Sequence, residues 1–221
     1  MPALFCLAMH GPLHESATRL HDGEFVIVYL DDIYLLTPRD RARVAYDIVT
    51  LTVWQRAGIR PHAGKTGCWA KGGGPAPRGV KELGTRGGAP VWKGNLQPSE
   101  RGVEVLGSPL GCPEFVQTHL KERAAKEASF LRDIPKLGDA QMEWLLLSFC
   151  AAPRANYILC TTPPTMAATY ATDHDENVAQ CLERVLNMSS GGANDVLRQM
   201  RLPVRYGGLG LRCSRRASPC A

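Results

Sequence analysis

Phe25-Val26-Ile27-Val28-Tyr29-Leu30-Asp31-Asp32-Ile33-Tyr34-Leu35-Leu36 is the stretch on which the reading of this chain turns. Apolar and aromatic residues, many of them β-branched, flank a pair of adjacent acids on both sides. The pattern predicts two short strands joined by a tight turn at Asp31-Asp32, an antiparallel hairpin. Two carboxylates inside such a run stand where strands would bury them, and a buried unpaired carboxylate is strongly destabilising. Exposure at the hairpin tip, protonation, or a bound hard cation such as magnesium would relieve that cost. Strand alternation sends neighbouring side chains to opposite faces, so both acids approach one ion only if the chain turns tightly at the pair. A plain solvated turn is the competing reading.

Working outward, residues 1–20 read as a helix. Pro2 suits a first turn, Leu4, Phe5, Ala8 and Met9 form an apolar stripe, and Gly11-Pro12 should kink it. His10 and His14 stand four apart, a spacing suited to a metal, but Gly11-Pro12 between them makes surface or groove histidines the reading. After the hairpin, Thr37-Pro38-Arg39-Asp40 should open a second helix, with Val44, Ile48 and Leu51 apolar and Gly58 as its stop. Residues 71–94 hold eight glycines in 24 positions, an irregular surface loop with Trp69 and Trp92 at its ends as core anchors. A short strand pair is expected around Val91-Trp92 and around residues 103–106. Helices are expected over residues 114–133, 139–152 and 165–188. The order is mixed α and β first, then all α, an α+β chain.

Bulk properties narrow the function classes. With 221 residues and 44% hydrophobic content, the chain is long and apolar enough for a buried core, which excludes a disordered tail or a collagenous fibre. The net charge of +5 is concentrated: residues 60–101 carry eight basic and two acidic side chains, and residues 198–216 carry six basic and none acidic. Arg198, Arg201 and Arg205 could track a duplex backbone or form a solvated face. Eight cysteines without a Cys-x-x-Cys pair argue against a zinc module or a disulfide scaffold. No apolar run is long enough for a membrane span and no signal peptide is evident, so an intracellular setting, nuclear or cytoplasmic, is expected.

Tyr29-Leu30-Asp31-Asp32 resembles the Tyr-x-Asp-Asp signature of reverse transcriptases, set in the apolar hairpin that this family uses. Further segments follow in the family's order. Gly58-Ile59-Arg60-Pro61-His62-Ala63-Gly64-Lys65-Thr66 is similar to the motif whose lysine lies near the incoming triphosphate. Val105-Leu106-Gly107-Ser108-Pro109-Leu110-Gly111 looks like the primer-grip turn, and upstream Pro2-Ala3-Leu4-Phe5 looks like the tail of the motif that runs along the template. Ala152-Pro153-Arg154-Ala155-Asn156-Tyr157 and Tyr206-Gly207-Gly208-Leu209-Gly210-Leu211 resemble segments of non-LTR retrotransposon polymerases.

The resemblance implies part of a polymerase palm over residues 1–112, an antiparallel hairpin sheet with helices, and an all-α thumb over residues 113–221. It implies an RNA-directed DNA polymerase that uses magnesium, with manganese as a substitute, an RNA template, a DNA primer and deoxynucleoside triphosphates, and no membrane. Asp31 becomes a metal ligand and Asp32 a supporting acid at the metal, while Lys65 neutralises or protonates the departing phosphate. Tyr29, Leu106, Gly107 and Ser108 become contacts to nucleic acid. The family's earlier strand, with its metal-binding aspartate, has no counterpart here, and both ends of the chain look cut. The alternative is therefore a catalytically inactive remnant that only binds primer-template nucleic acid. A phosphate-loop reading of Gly64-Lys65-Thr66 is disfavoured, because Ile59 stands where that pattern needs glycine.

Overall fold

Phe5, Met9, Pro12, Leu13 and Ser16 recur at helical spacing, and all five turn inward on a single helix, α1 (Pro2–Thr18). This computed structural model describes residues 2–83, 90–188 and 198–217. The chain divides into two compact units, Met1–Val103 and Glu104–Ala221.

In the first unit the expected stripe on α1 is only half correct: Phe5 and Met9 are covered, whereas Leu4 is 70% exposed and Ala8 faces solvent. Pro12 lies inside a helix that runs on through it. The carbonyl that an N–H at position 12 would serve belongs to exposed Ala8, where water can satisfy it, so the lost hydrogen bond does not end the helix. The Ser16 hydroxyl then donates to the Pro12 carbonyl at 2.7 Å.

Strands β1 (Phe25–Tyr29) and β2 (Asp32–Leu36) form an antiparallel hairpin. Pro38 is extended, a 3-10 turn spans Arg39–Arg41, and α2 (Ala42–Ala57) starts later than the sequence suggests. Gly58 stops α2 as expected: its φ is 70° and its N–H donates to the Trp54 carbonyl at 2.9 Å. The inward face of α2 is Ala45, Val49, Thr52 and Val53, while Val44 and Leu51 are 46% and 55% exposed. Two adjacent stripes of α2 are apolar, and periodicity cannot say which one meets the core. Met9, Val49 and Val53 form the centre of that core, with Phe5, Leu13, Val26, Leu35 and Ile59 against it.

The glycine-rich stretch has a small core of its own, Val80, Val91 and Trp92. Trp92 is buried, as expected of an anchor. Its indole N–H donates to the Gly74 carbonyl at 2.8 Å, and Arg39 stacks on its ring. Residues 84–89 of this stretch lie outside the described residues. The strand pair expected at Val91-Trp92 is replaced by a single bridge between Trp92 and Cys68.

β3 (Gly102–Val105), across which the division between the units falls, pairs with β4 (Ser108–Gly111) instead. In the second unit α3 (Pro113–Asp133) is followed by α4 (Ala140–Leu145), which runs into a π-helical turn, Leu146–Ala151. The Asp139 carboxylate accepts from the N–H groups of Gln141 and Met142, the cap that starts α4. Then come α5 (Arg154–Thr161), α6 (Pro164–Val185) and α7 (Ser214–Ala217). α5 is absent from the sequence reading because Pro153 looks like an end, whereas it opens a new helix. Two clusters hold this unit, one around Leu131, Leu147, Val178 and Leu182, the other around Val116, Leu120, Ile158 and Tyr170. Between α3 and α6 the buried Glu127 carboxylate accepts from the Tyr170 hydroxyl at 2.8 Å and from Arg123 Nε at 3.1 Å. Burial alone would raise its pKa, but His174, Tyr170 and Arg123 hold it below the usual carboxylate range.

Among the described residues the chain is thus mixed α and β, with two small hairpins and mostly helix. Among the described residues no helix is long and apolar enough to cross a membrane.

Candidate functional site

The hairpin pairs Phe25 with Leu36, Val26 with Leu35, Ile27 with Tyr34, Val28 with Ile33 and Tyr29 with Asp32. Its two-residue turn is therefore Leu30-Asp31, one position earlier than the sequence suggests, and Asp32 begins β2. The reason lies at the open end of the ladder. Glu24 and Thr37 are the next pair in this register, and the Thr37 hydroxyl donates to the Glu24 carboxylate at 2.7 Å. The same carboxylate accepts from the His21 N–H at 2.9 Å and from Arg41 Nε and Nη2 at 3.2 and 3.3 Å. This cluster around the buried Glu24 carboxylate fastens both ends of the hairpin to the start of α2 and fixes the turn at the far tip. Burial by itself would raise the Glu24 pKa, but Arg41, the His21 N–H and Thr37 outweigh it and bring it down to about 2.

A turn centred on Leu30-Asp31 demands an unusual backbone. Leu30 has a φ of 54°, in the left-handed region that a branched side chain rarely adopts. Holding Leu30 there costs about 1 kcal/mol. The result is a tip at which Tyr29, Asp31 and Asp32 are all exposed. Of the three ways to relieve the carboxylates, exposure is the one this geometry adopts. Val26 and Leu35 face the α1–α2 core, so alternation puts Tyr29 and Asp32 on the outward face with Phe25, Ile27, Tyr34 and Leu36. The Tyr34 hydroxyl is 3.4 Å from Asp32 Oδ2, a long donation.

Carboxylate oxygens suit magnesium, which keeps several waters and takes one or two carboxylates together with substrate phosphates. Asp31 and Asp32 meet that requirement in number and chemistry. Among the described residues no group of three His, Cys, Asp or Glu side chains converges on one point, there or elsewhere.

Lys65 ends a 3-10 turn, Ala63–Lys65, whose last N–H donates to the His62 carbonyl at 3.0 Å. It is exposed, and no hydrogen bond or ion pair joins it to Asp31 or Asp32. Just ahead of it the Arg60 guanidinium lies 3.8 Å from the Trp54 ring centre, which ties the segment after Gly58 back to α2.

Leu106 and Gly107 form the turn between β3 and β4, with φ of 51° and 80°. Two positive values in a two-residue loop are the type I′ arrangement that matches strand twist. The Tyr157 hydroxyl on α5 donates to the Leu106 carbonyl, and the Ser108 hydroxyl reaches the Thr161 carbonyl at 3.4 Å. Leu106, Gly107 and Ser108 thus form a turn held by α5, and they belong to the second unit, whereas Tyr29, Asp31, Asp32 and Lys65 belong to the first. Of the arginines near the C-terminus, Arg201 lies 3.8 Å from Asp175, and Arg205 stacks on Tyr206.

Two residues that shape these turns escape the sequence reading. Glu24 is an acid just before a strand, which usually reads as a solvated charge. Tyr157 could be found only by knowing that α5 lies beside the second turn.

No protein-family profile, curated protein or solved structure matches this chain.

Proposed function

We propose that this chain is part of an RNA-directed DNA polymerase of the reverse-transcriptase kind, with Asp31 and Asp32 as its metal-facing carboxylates. The observation that carries the reading is the hairpin tip. The segment that resembles the family signature lies at an exposed two-residue turn, with Asp31 in the turn and Asp32 at the first position of β2. Magnesium held there, in a shell completed by water, triphosphate oxygens and further carboxylates, would lower the pKa of a primer hydroxyl and neutralise the charge that builds on the leaving phosphates. Asp31 and Asp32 supply oxygen ligands, Tyr29 presents an aromatic face to a base or sugar at the same tip, and Lys65 offers a cation for the departing pyrophosphate. Leu106, Gly107 and Ser108 present a close-approach turn to a primer backbone.

A second reading is that this polypeptide by itself binds primer-template without extending it; among the described residues no third carboxylate joins Asp31 and Asp32. Extension of a labelled DNA primer on a poly-rA template with magnesium tests both. Extension that Asp31→Asn abolishes supports the polymerase. Retention of primer-template by the chain without extension, unchanged by Asp31→Asn, supports binding alone. If the chain neither extends nor retains the duplex, both readings fail.

A further inference from the structure

The objection to His10 and His14 as metal ligands is the kink expected at Gly11-Pro12 between them, and α1 is a single helix across that position. Residues four apart on a continuous helix lie one above the other on the same face. Here the two imidazole rings are stacked, with centroids 6.3 Å apart and planes within 1° of parallel. Both side chains are exposed, and no hydrogen bond or ion pair with described residues occupies any of their ring nitrogens. The neighbouring acid on α1, Glu15, is already taken by Arg56 at 2.8 Å. Both rings are on the surface, so small rotations can turn a nitrogen of each toward one ion without disturbing the core.

From this we infer that His10 and His14 form a two-point site for a borderline divalent transition metal such as Ni2+, Cu2+ or Zn2+, completed by water. Imidazole nitrogen suits these ions, and the oxygen-seeking Mg2+ is a poor match. The affinity order expected for nitrogen ligands is Cu2+ above Ni2+, with Mn2+ weakest. The site has a mechanical consequence. Gly11 is entropically costly in a helix and Pro12 lacks a backbone donor, so the turn between the histidines is the weakest part of α1. An ion bridging His10 and His14 spans that turn and binds only when it is helical, so binding stabilises α1 by mass action. α1 also carries Met9 and Leu13 into the core that supports Val26 and Leu35 of the hairpin, so the staple firms the platform beneath the Asp31-Asp32 tip. The inference does not depend on the polymerase reading, since it concerns other residues and another class of ion.

The test uses the full chain and the metal alone. Thermal unfolding is followed with increasing Ni2+, and in parallel with Mg2+ and Mn2+, for the unaltered chain and for His10→Gln, His14→Gln and Cys6→Ser. Cys6 is included because it is exposed and lies four residues before His10 on α1. The expected result is a saturable rise in the unfolding temperature with Ni2+, little or none with Mg2+ or Mn2+, and retention of the rise in Cys6→Ser. Removing either histidine leaves a single ligand and should weaken Ni2+ about a hundredfold, the usual loss when a second, tethered contact is removed. No rise with Ni2+, or a rise that survives in either histidine variant, overturns the inference. Both histidine variants change exposed side chains, so their metal-free unfolding should match that of the parent, and a large drop would assign the histidines a packing role instead.

Discussion

Glu24 shows how much a single side chain can decide. Its carboxylate gathers the His21 N–H, the Thr37 hydroxyl and the Arg41 guanidinium, and through them holds the register that places Asp31 at a turn. Replacing it with alanine leaves three donors without their shared acceptor and should destabilise the first unit by about 1 to 3 kcal/mol, measured by denaturant unfolding. The pH dependence follows from the lowered pKa. Its carboxyl titrates near 4.5 when free and at about 2 in the folded chain, so its contribution is fully present above pH 4.5 and is lost as pH falls toward 2. Acid unfolding of Glu24→Gln should lack that component, and an unchanged acid limb would count against the cluster. Leu30 is the other decisive residue. Asparagine tolerates its left-handed backbone far better than leucine, so Leu30→Asn should raise stability by up to about 1 kcal/mol. If the change proves strongly destabilising, the turn is not the one described.

At the scale of elements, what could be read and what could not separate cleanly. The hairpin, the stop of α2 at Gly58 and the helix over residues 114–133 were legible, because each rests on local chemistry: β-branched runs, a left-handed glycine, amphipathic spacing. The phase of α2 was not, because Val44, Ile48 and Leu51 make as good a stripe as Ala45, Val49 and Val53, and only the partner α1 chooses between them. Val49→Ala should therefore cost about 1 to 3 kcal/mol, whereas Val44→Ala should stay within about 0.5 kcal/mol. Equal effects would mean that the helix is turned otherwise. The helix read over residues 1–20 does continue through Pro12, and what lets it do so is not local: whether a proline ends a helix depends on what the carbonyl it strands can bond to, and that is set by burial.

For the whole molecule, the outward face of the first hairpin matters most. Phe25, Ile27, Tyr29 and Leu36 are each at least half exposed on a two-stranded sheet. An apolar surface with open strand edges promotes association. The chain should self-associate in sedimentation experiments, and Ile27→Lys should reduce this without loss of helix signal. A monodisperse parent would show that the face is not sticky. The order of elements, helical hairpin support first and helical bundle after, was visible in the switch from alternating to helical periodicity near residue 113. The division at Val103 and Glu104 was not, since it depends on which helices β4 packs against.

By itself the sequence determined the first hairpin, the helices α1 to α4 and α6 in their order, and the acidic pair that makes the hairpin tip chemically interesting. These depend on backbone preferences and on spacing along the chain, which are local. Tertiary structure alone decided the one-residue placement of the turn, the inward faces of α1 and α2, and the pairing of Glu24 with Thr37 and Arg41. Each of these depends on which groups exclude water from one another across the fold, and that is a property of packing between segments distant in sequence.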